Sequence, residues 1–191
     1  MNFQKIKTMA FLNKTTAKIH GYFLEKELQN HQQTHYSMDL STAKSIGLLL
    51  DATDLAEREA VLKFSEQLKK EGKEVKLLAF FSGDAKVANF AFPHFTKKDL
   101  DWTLRPKSRE IKKFIDQPFD ILINLTPYGS LPLEYIAAFS KAKFRVGPST
   151  DKTYCYELMI DTAAKKDLSS FIKQVTFFIN KMNTTHAPTS A

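Results

Sequence analysis

The amino-acid sequence predicts an α/β fold: a single doubly wound, mainly parallel, Rossmann-like sheet preceded by an N-terminal helical arm. The first observation is a strand, loop, helix and strand pattern between Phe119 and Gly147. Residues 119–125 form a nearly unbroken apolar run of strand length, typical of a strand buried on both faces. The second observation is an earlier strand, helix and strand pattern over residues 45–81. Two such units in succession favour parallel strands joined by helical crossovers.

Residues 1–40 are predicted to form a basic helical arm followed by a polar linker. Apolar residues recur at helical spacing within residues 3–31, and no acidic residue precedes Glu25. Such a helix either binds a protein, a nucleic acid or a membrane surface, or packs back on the domain. We expect residues 1–40 to be separable from the domain at 41–183.

The first half of the domain has clear element boundaries. A strand is predicted at 45–51, a helix at 55–71 capped by Asp54, and a second strand at 73–81. Glycine and proline then interrupt the pattern, and a short third strand is predicted near 100–103.

The second half continues the alternation. Ser108 is predicted to cap a helix, and the strand at 119–125 is followed by a helix at 131–140 and a strand at 143–147. A further strand is predicted at 156–161. Asp167 then caps the clearest helix of the chain, and 184–191 is a flexible tail.

Composition limits the class of protein. With 191 residues, 43% of them hydrophobic, the chain suits one compact domain with an appendage. The single cysteine, Cys155, excludes an intramolecular disulfide and a cysteine-based zinc site, and it favours a reducing compartment. No apolar run has the length of a signal-peptide core or a membrane span, so a cytoplasmic protein without a transmembrane segment is predicted.

The net charge of +7 favours an anionic partner such as nucleic acid. The densest group of basic residues lies within 97–113, but acidic residues are interspersed there, which is also typical of a solvated surface. Nearby aromatic residues, Phe90, Phe92 and Trp102, add to the nucleic-acid interpretation because bases stack on aromatic rings.

A ligand crevice is predicted where the sheet reverses its winding, between the first strand and the strand at 119–125. Two loops should meet there, and a helix start beside them offers free backbone N–H groups to an anionic small molecule. Arg145 is expected to add a compensating charge, and Asp51 to face a sugar hydroxyl or act as a base. The predicted ligand-binding residues are Asp51, Thr53, Thr126, Tyr128, Gly129, Ser130 and Arg145. The open alternative is that Asp54 and Ser130 are only helix caps.

No motif commits the chain to one chemistry. The sequence lacks G-x-G-x-x-G after a strand, a Walker loop, H-E-x-x-H, G-x-S-x-G and C-x-x-C. His31 and His35 have helical spacing but no evident third ligand, so neither a metal nor a cofactor is predicted. Cys155 is interpreted as a packing residue.

Two resemblances extend this interpretation. The segments SIGLLLDATD, RPKSREIKKFI, FDILINL, PLEYIAAFSKAKFRVG and ELMID, between Ser45 and about Met182, resemble a family of small bacterial proteins without a known activity. A shorter run, FDILINL with the following helix and AKFRVG, resembles the N-terminal half of heptosyltransferase-type glycosyltransferases. That likeness implies a Rossmann-like fold, whereas the Gly-Asp stretch after the first strand of those enzymes is replaced by residues 51–54, and a second nucleotide-sugar-binding half does not fit in this length.

Three classes of function follow. A non-catalytic binding or protein-interaction module is favoured, with a protein partner expected at the N-terminal arm. The second class is an enzyme or binder acting on a nucleotide-like or sugar-phosphate ligand in the crevice. The third is a nucleic-acid-associated basic protein, and fold alone does not choose among them.

Overall fold

A computed structural model describes residues 21–22, 26, 38–83, 90–162 and 167–182. Gly21, Tyr22 and Lys26 are helical. Most of residues 1–40, including the histidines at 31 and 35, and the tail at 184–191 lie outside the described residues. Leu40 is buried in the hydrophobic core, and Met38 packs against that core. No helix in the described ranges has the length and hydropathy needed to cross a membrane.

The sheet has six strands, all parallel, in the order β3-β2-β1-β4-β5-β6. The strands are β1 (Ser45–Asp51), β2 (Glu74–Phe81), β3 (His94–Thr96), β4 (Ile121–Asn124), β5 (Phe144–Pro148) and β6 (Leu158–Ile160). This is the strand order of the Rossmann fold. The predicted fold class is therefore confirmed.

Helices cover both faces of the sheet. They are α1 (Leu55–Lys70), α2 (Arg109–Ile115), α3 (Leu131–Phe139) and α4 (Leu168–Met182). One hydrophobic cluster joins α1 and α4 to one face, and a second joins α2 and α3 to the other. Side chains of β1 alternate between them, with Leu48 and Leu50 in the first cluster and Leu49 in the second. Ile121, Leu122 and Ile123 of β4 are at most 1% exposed, as expected for a central strand covered on both faces.

Three predicted helix caps are present. The side-chain oxygens of Asp54, Ser108 and Asp167 each accept a hydrogen bond, of 2.8 to 3.3 Å, from the backbone N–H three residues further along. Ser130 stands at the corresponding position before α3, but its side chain makes no capping hydrogen bond. Ser130 is therefore the N-cap residue of α3, as one of the two interpretations predicted, but it caps the helix without its hydroxyl.

The third strand is not where the sequence predicts it. It lies at His94–Thr96, whereas residues 100–103 lead into a turn. The Asp101 carboxylate closes that turn by accepting hydrogen bonds from the backbone N–H (2.8 Å) and hydroxyl (2.6 Å) of Thr103. Leu104 follows with a φ of 65°, outside the strand region. An aspartate that bonds to nearby backbone favours a turn over a strand, and this outweighs the apolar pattern.

Candidate functional site

The winding of the sheet reverses between β1 and β4. The chain leaves β1 into α1 on one face of the sheet and leaves β4 into α3 on the other. The two strands are direct neighbours, and the backbone N–H of Leu125 donates to the carbonyl of Leu49 at 2.8 Å. The loops that follow β1 and β4 therefore diverge from one point and leave a crevice between them.

This switch-point crevice has a volume of about 370 Å³. It is lined by Asp51, Thr53, Asp54, Glu57, Ser82, Thr126, Pro127, Tyr128 and Gly129. The structure thus brings together the predicted residues of the β1 and β4 loops. Glu57 and Ser82 also line the crevice and are not among the residues predicted from the sequence. The spacing of one helical turn between Asp54 and Glu57 was the available signal, because it places both at the same end of α1.

Hydroxyl groups tie the crevice loops together. The Asp51 carboxylate accepts a hydrogen bond from the backbone N–H of Thr53 at 2.9 Å. The Thr53 hydroxyl lies 2.9 Å from the Ser82 hydroxyl and accepts from the Ser82 backbone N–H at 3.0 Å. The loop after β2 is thereby held against the loop after β1.

The crevice is acidic. Asp51, Asp54 and Glu57 all line it, and no lysine or arginine of the described ranges forms an ion pair with any of them. Partial burial, with the nearby charges of Asp54 and Asp51, raises the pKa of Glu57. Three carboxylates that pair with no described lysine or arginine make the crevice unfavourable for an anion.

Thr126 lies above a buried chain of polar groups. Its hydroxyl donates to the side-chain oxygen of Asn124 at 2.7 Å, and the Asn124 amide donates to the Tyr156 hydroxyl at 2.6 Å. Gly147 lets the Tyr156 ring approach β5, because a Cβ there would stand 2.5 Å from the ring. Since the Thr126 proton points inward to Asn124, its oxygen can only accept hydrogen bonds from the crevice.

The start of α3 already holds a carboxylate of the protein itself. Glu134 in its first turn is 5% exposed and pairs with Lys152 at 2.6 Å. Gly129 has a φ of 76°, and a Cβ at that position would stand 3.1 Å from a Glu134 carboxylate oxygen. The place that the sequence assigns to an anionic ligand is thus beside an internal ion pair, and Ser130 is not among the crevice-lining residues.

Arg145, like Ser130, is not among the crevice-lining residues. It is 4% exposed, and its guanidinium bonds the Glu157 carboxylate and the carbonyl oxygens of Ala137 (3.3 Å) and Ala138 (2.8 Å). These carbonyls belong to the last turn of α3, which lies at the amino end of the parallel strands. The crevice lies at their carboxyl end. The positive charge that was expected to compensate a bound anion therefore pairs with Glu157 inside the fold.

Cys155 and the basic surface are both separate from the crevice. Cys155 is fully buried, and burial raises the pKa of its thiol to about 12, which keeps it protonated. Phe90 and Phe92 pack against the α1 and α4 cluster, while the basic residues of α2 lie on the opposite face of the sheet. The sheet therefore separates Phe90 and Phe92 from the basic residues of α2, whereas Trp102 is exposed within the basic segment itself.

The fold and the crevice define a Rossmann-like α/β domain with an acidic site at its switch point. The model of a family of unknown function (DUF6913) matches residues 17–182, so the chain belongs to that family. The match covers every strand and helix described above. A search of curated proteins found no match, and the likeness to heptosyltransferases is not shown.

Proposed function

We propose that this protein is a non-catalytic binding module whose switch-point crevice holds a small ligand rich in hydrogen-bond donors, a polyhydroxyl compound above all. The observation that carries this proposal is the chemistry of the lining. The carboxylates of Asp51, Asp54 and Glu57 accept hydrogen bonds, and the Thr126 hydroxyl has its proton engaged with Asn124. Sugar-like hydroxyl groups are suitable donors to such a surface.

Charge disfavours the phosphate-bearing ligands expected from the sequence. A unit negative charge 4 Å from a carboxylate costs about 1 kcal/mol in water and about 4 kcal/mol near a protein surface. Three carboxylates line the crevice, and Arg145 does not line it. The crevice volume of about 370 Å³ is at the lower end of the range for small-molecule sites. An unphosphorylated ligand of about one sugar ring in size carries no charge that the carboxylates repel, and it is small enough for the crevice.

A binding assay by calorimetry tests this proposal, with neutral sugars and nucleosides compared against their phosphates. Asp51→Asn removes one charged acceptor, so binding of the neutral ligand should weaken by about 1.5 to 3 kcal/mol. Asp116→Asn is the matched control, because Asp116 is exposed and pairs with Lys141 away from the crevice. Tighter binding of the phosphates, or unchanged binding in Asp51→Asn, would overturn the proposal.

An enzyme acting on the same kind of ligand is the second candidate. The raised pKa of Glu57 favours it, since a carboxyl group whose pKa is moved toward neutrality can donate or accept a proton at a reacting centre. Turnover of the bound ligand that is lost in Glu57→Gln would favour this candidate over simple binding. The presence of a single cysteine, which leaves the chain without an intramolecular disulfide, favours a cytoplasmic location for a binding module and for an enzyme alike.

A further inference from the structure

A second cavity adjoins the switch-point crevice, and Thr53 lines both. It has a volume of about 730 Å³ and lies along α1, over β2 and the residues that precede β3. Its lining includes Arg58 and Ser65 of α1 and the rings of Phe81, Phe90 and Phe92. We call it the aromatic cavity.

The aromatic side chains form a preorganised wall. The rings of Phe90 and Phe92 are parallel within 1°, with centroids 5.2 Å apart. Phe81 meets the Phe90 ring edge-on at 5.3 Å, and the Arg58 guanidinium lies 4.8 Å from the Phe90 centroid. Phe90 and Phe92 are only partly buried, and both line the cavity. Flat, partly exposed aromatic surfaces of this kind bind planar rings by stacking.

Ser65 supplies a second, independent observation. It is 1% exposed and lines the cavity, and its hydroxyl oxygen has no hydrogen-bond partner among the described residues. A buried hydroxyl without a partner is uncommon in folded proteins, because its desolvation is then uncompensated. A ligand atom that accepts or donates a hydrogen bond at this position removes that deficit. Heteroatoms on the edge of a planar ring are suited to this role.

We infer that the aromatic cavity holds the planar heteroaromatic ring of a ligand whose hydroxyl-bearing part lies in the switch-point crevice. The ligand is then a nucleoside-like compound without a phosphate. The ring stacks on the wall of Phe90 and Phe92, and a heteroatom on the edge of the ring forms a hydrogen bond with the Ser65 hydroxyl. The sugar hydroxyls donate to Asp51 and its neighbouring carboxylates. This inference rests on the proposed function, since it assigns the polyhydroxyl part to the same crevice.

The test is calorimetric titration of the full chain with three probes: a set of nucleosides, the corresponding free bases, and ribose. A nucleoside should bind at least about tenfold more tightly than either of its parts, because both contacts then act within one molecule. Ser65→Ala should weaken nucleoside binding about 3- to 10-fold and leave ribose binding unchanged. Asp51→Asn should weaken both.

Two further variants control for damage to the fold. Ser65→Ala removes a hydroxyl without a partner, so its thermal midpoint should not fall, and Ser169→Ala on the exposed face of α4 should change neither binding nor midpoint. Phe90→Leu should weaken nucleoside binding about tenfold, with Phe178→Leu, also partly exposed but on α4, as its control.

The outcomes separate the two proposals. If ribose binds in a way that depends on Asp51 and no nucleoside binds more tightly than ribose, the nucleoside inference is overturned. The proposed function is kept in that case. A free base that binds through Ser65 with no gain from the attached sugar overturns the link between the cavities. Nucleoside binding that is insensitive to Ser65 and Phe90 overturns the assignment of the ring to the aromatic cavity.

Discussion

Carboxylates at the two ends of the parallel sheet have different hydrogen-bond and ion-pair partners. At the amino end, the Asp120 carboxylate accepts hydrogen bonds from the Lys143 ammonium (2.8 Å) and from the backbone N–H groups of Lys44 (2.8 Å) and Ser45 (3.0 Å). Burial alone would raise its pKa, but these donors lower it to about 2. At the same end, Glu157 pairs with the buried Arg145.

At the carboxyl end, the crevice carboxylates of Asp51 and Asp54 accept backbone hydrogen bonds but pair with no cationic side chain in the part of the chain that the structure describes. Asp51 accepts from the Thr53 backbone N–H, Asp54 from that of Glu57, and no described lysine or arginine pairs with either aspartate. Glu134, buried at this end, is paired with Lys152, so the difference holds for the carboxylates that line the crevice. Charged groups buried in the fold are neutralised within it, whereas the crevice carboxylates pair with no lysine or arginine of the described ranges.

The largest expected effect is at the buried ion pair. Arg145→Ala should lower the free energy of unfolding by about 3 to 5 kcal/mol, because Glu157 and two helix-end carbonyls lose their donor. Urea unfolding measures this. Lys141→Ala is the control, since its exposed pair with Asp116 should be worth at most about 1 kcal/mol. A loss in Arg145→Ala as small as in the control would show that the amino end does not depend on paired charge.

The next effect depends on pH. Asp120→Asn should cost about 1.5 to 3 kcal/mol at neutral pH, the range for hydrogen bonds to a charged group. The folded-state pKa is about 2, below the value of about 3.9 in an unfolded chain. The contribution of Asp120 to the free energy of unfolding is therefore complete above pH 4, and it is lost as the pH falls toward 2. Urea unfolding between pH 2 and pH 5 should show the wild type and variant converging at the acidic end, and a constant difference would contradict the assignment.

The smallest effect is at the crevice and has the opposite sign. Because the pKa of Glu57 is raised, its charged form costs stability once the pH exceeds the ordinary glutamate value. Glu57→Gln should thus raise the free energy of unfolding at neutral pH by up to about 0.5 kcal/mol. Glu66→Gln on the same helix is the control, because Glu66 bonds Lys69 and has a lowered pKa. Thermal unfolding compares the two, and destabilisation by Glu57→Gln would remove the contrast between the ends of the sheet.

Much of the fold could be predicted from local patterns. The strand at Ser45–Asp51 has the bounds that its apolar run indicates, and α4 follows the helical spacing after Asp167. The loops at Asp51 and Tyr128 could be placed at one crevice because the parallel topology brings the ends of β1 and β4 together. The turn at Asp101 could not be read from apolar spacing, since hydrogen bonds of one carboxylate decide it.

The sequence by itself determined the order of strands and helices and, through it, where a crevice forms, because both depend on patterns within short segments. Only the tertiary structure decided the charge of that crevice. Arg145 reaches Glu157, 12 residues further along, instead of the crevice, and Glu134 reaches Lys152, 18 residues further along. Burial makes those pairings necessary, since an unpaired charge inside the fold costs several kcal/mol. Asp51 and Glu57 pair with no lysine or arginine of the described residues, and this changes the ligand that we propose from an anion to a hydrogen-bond donor.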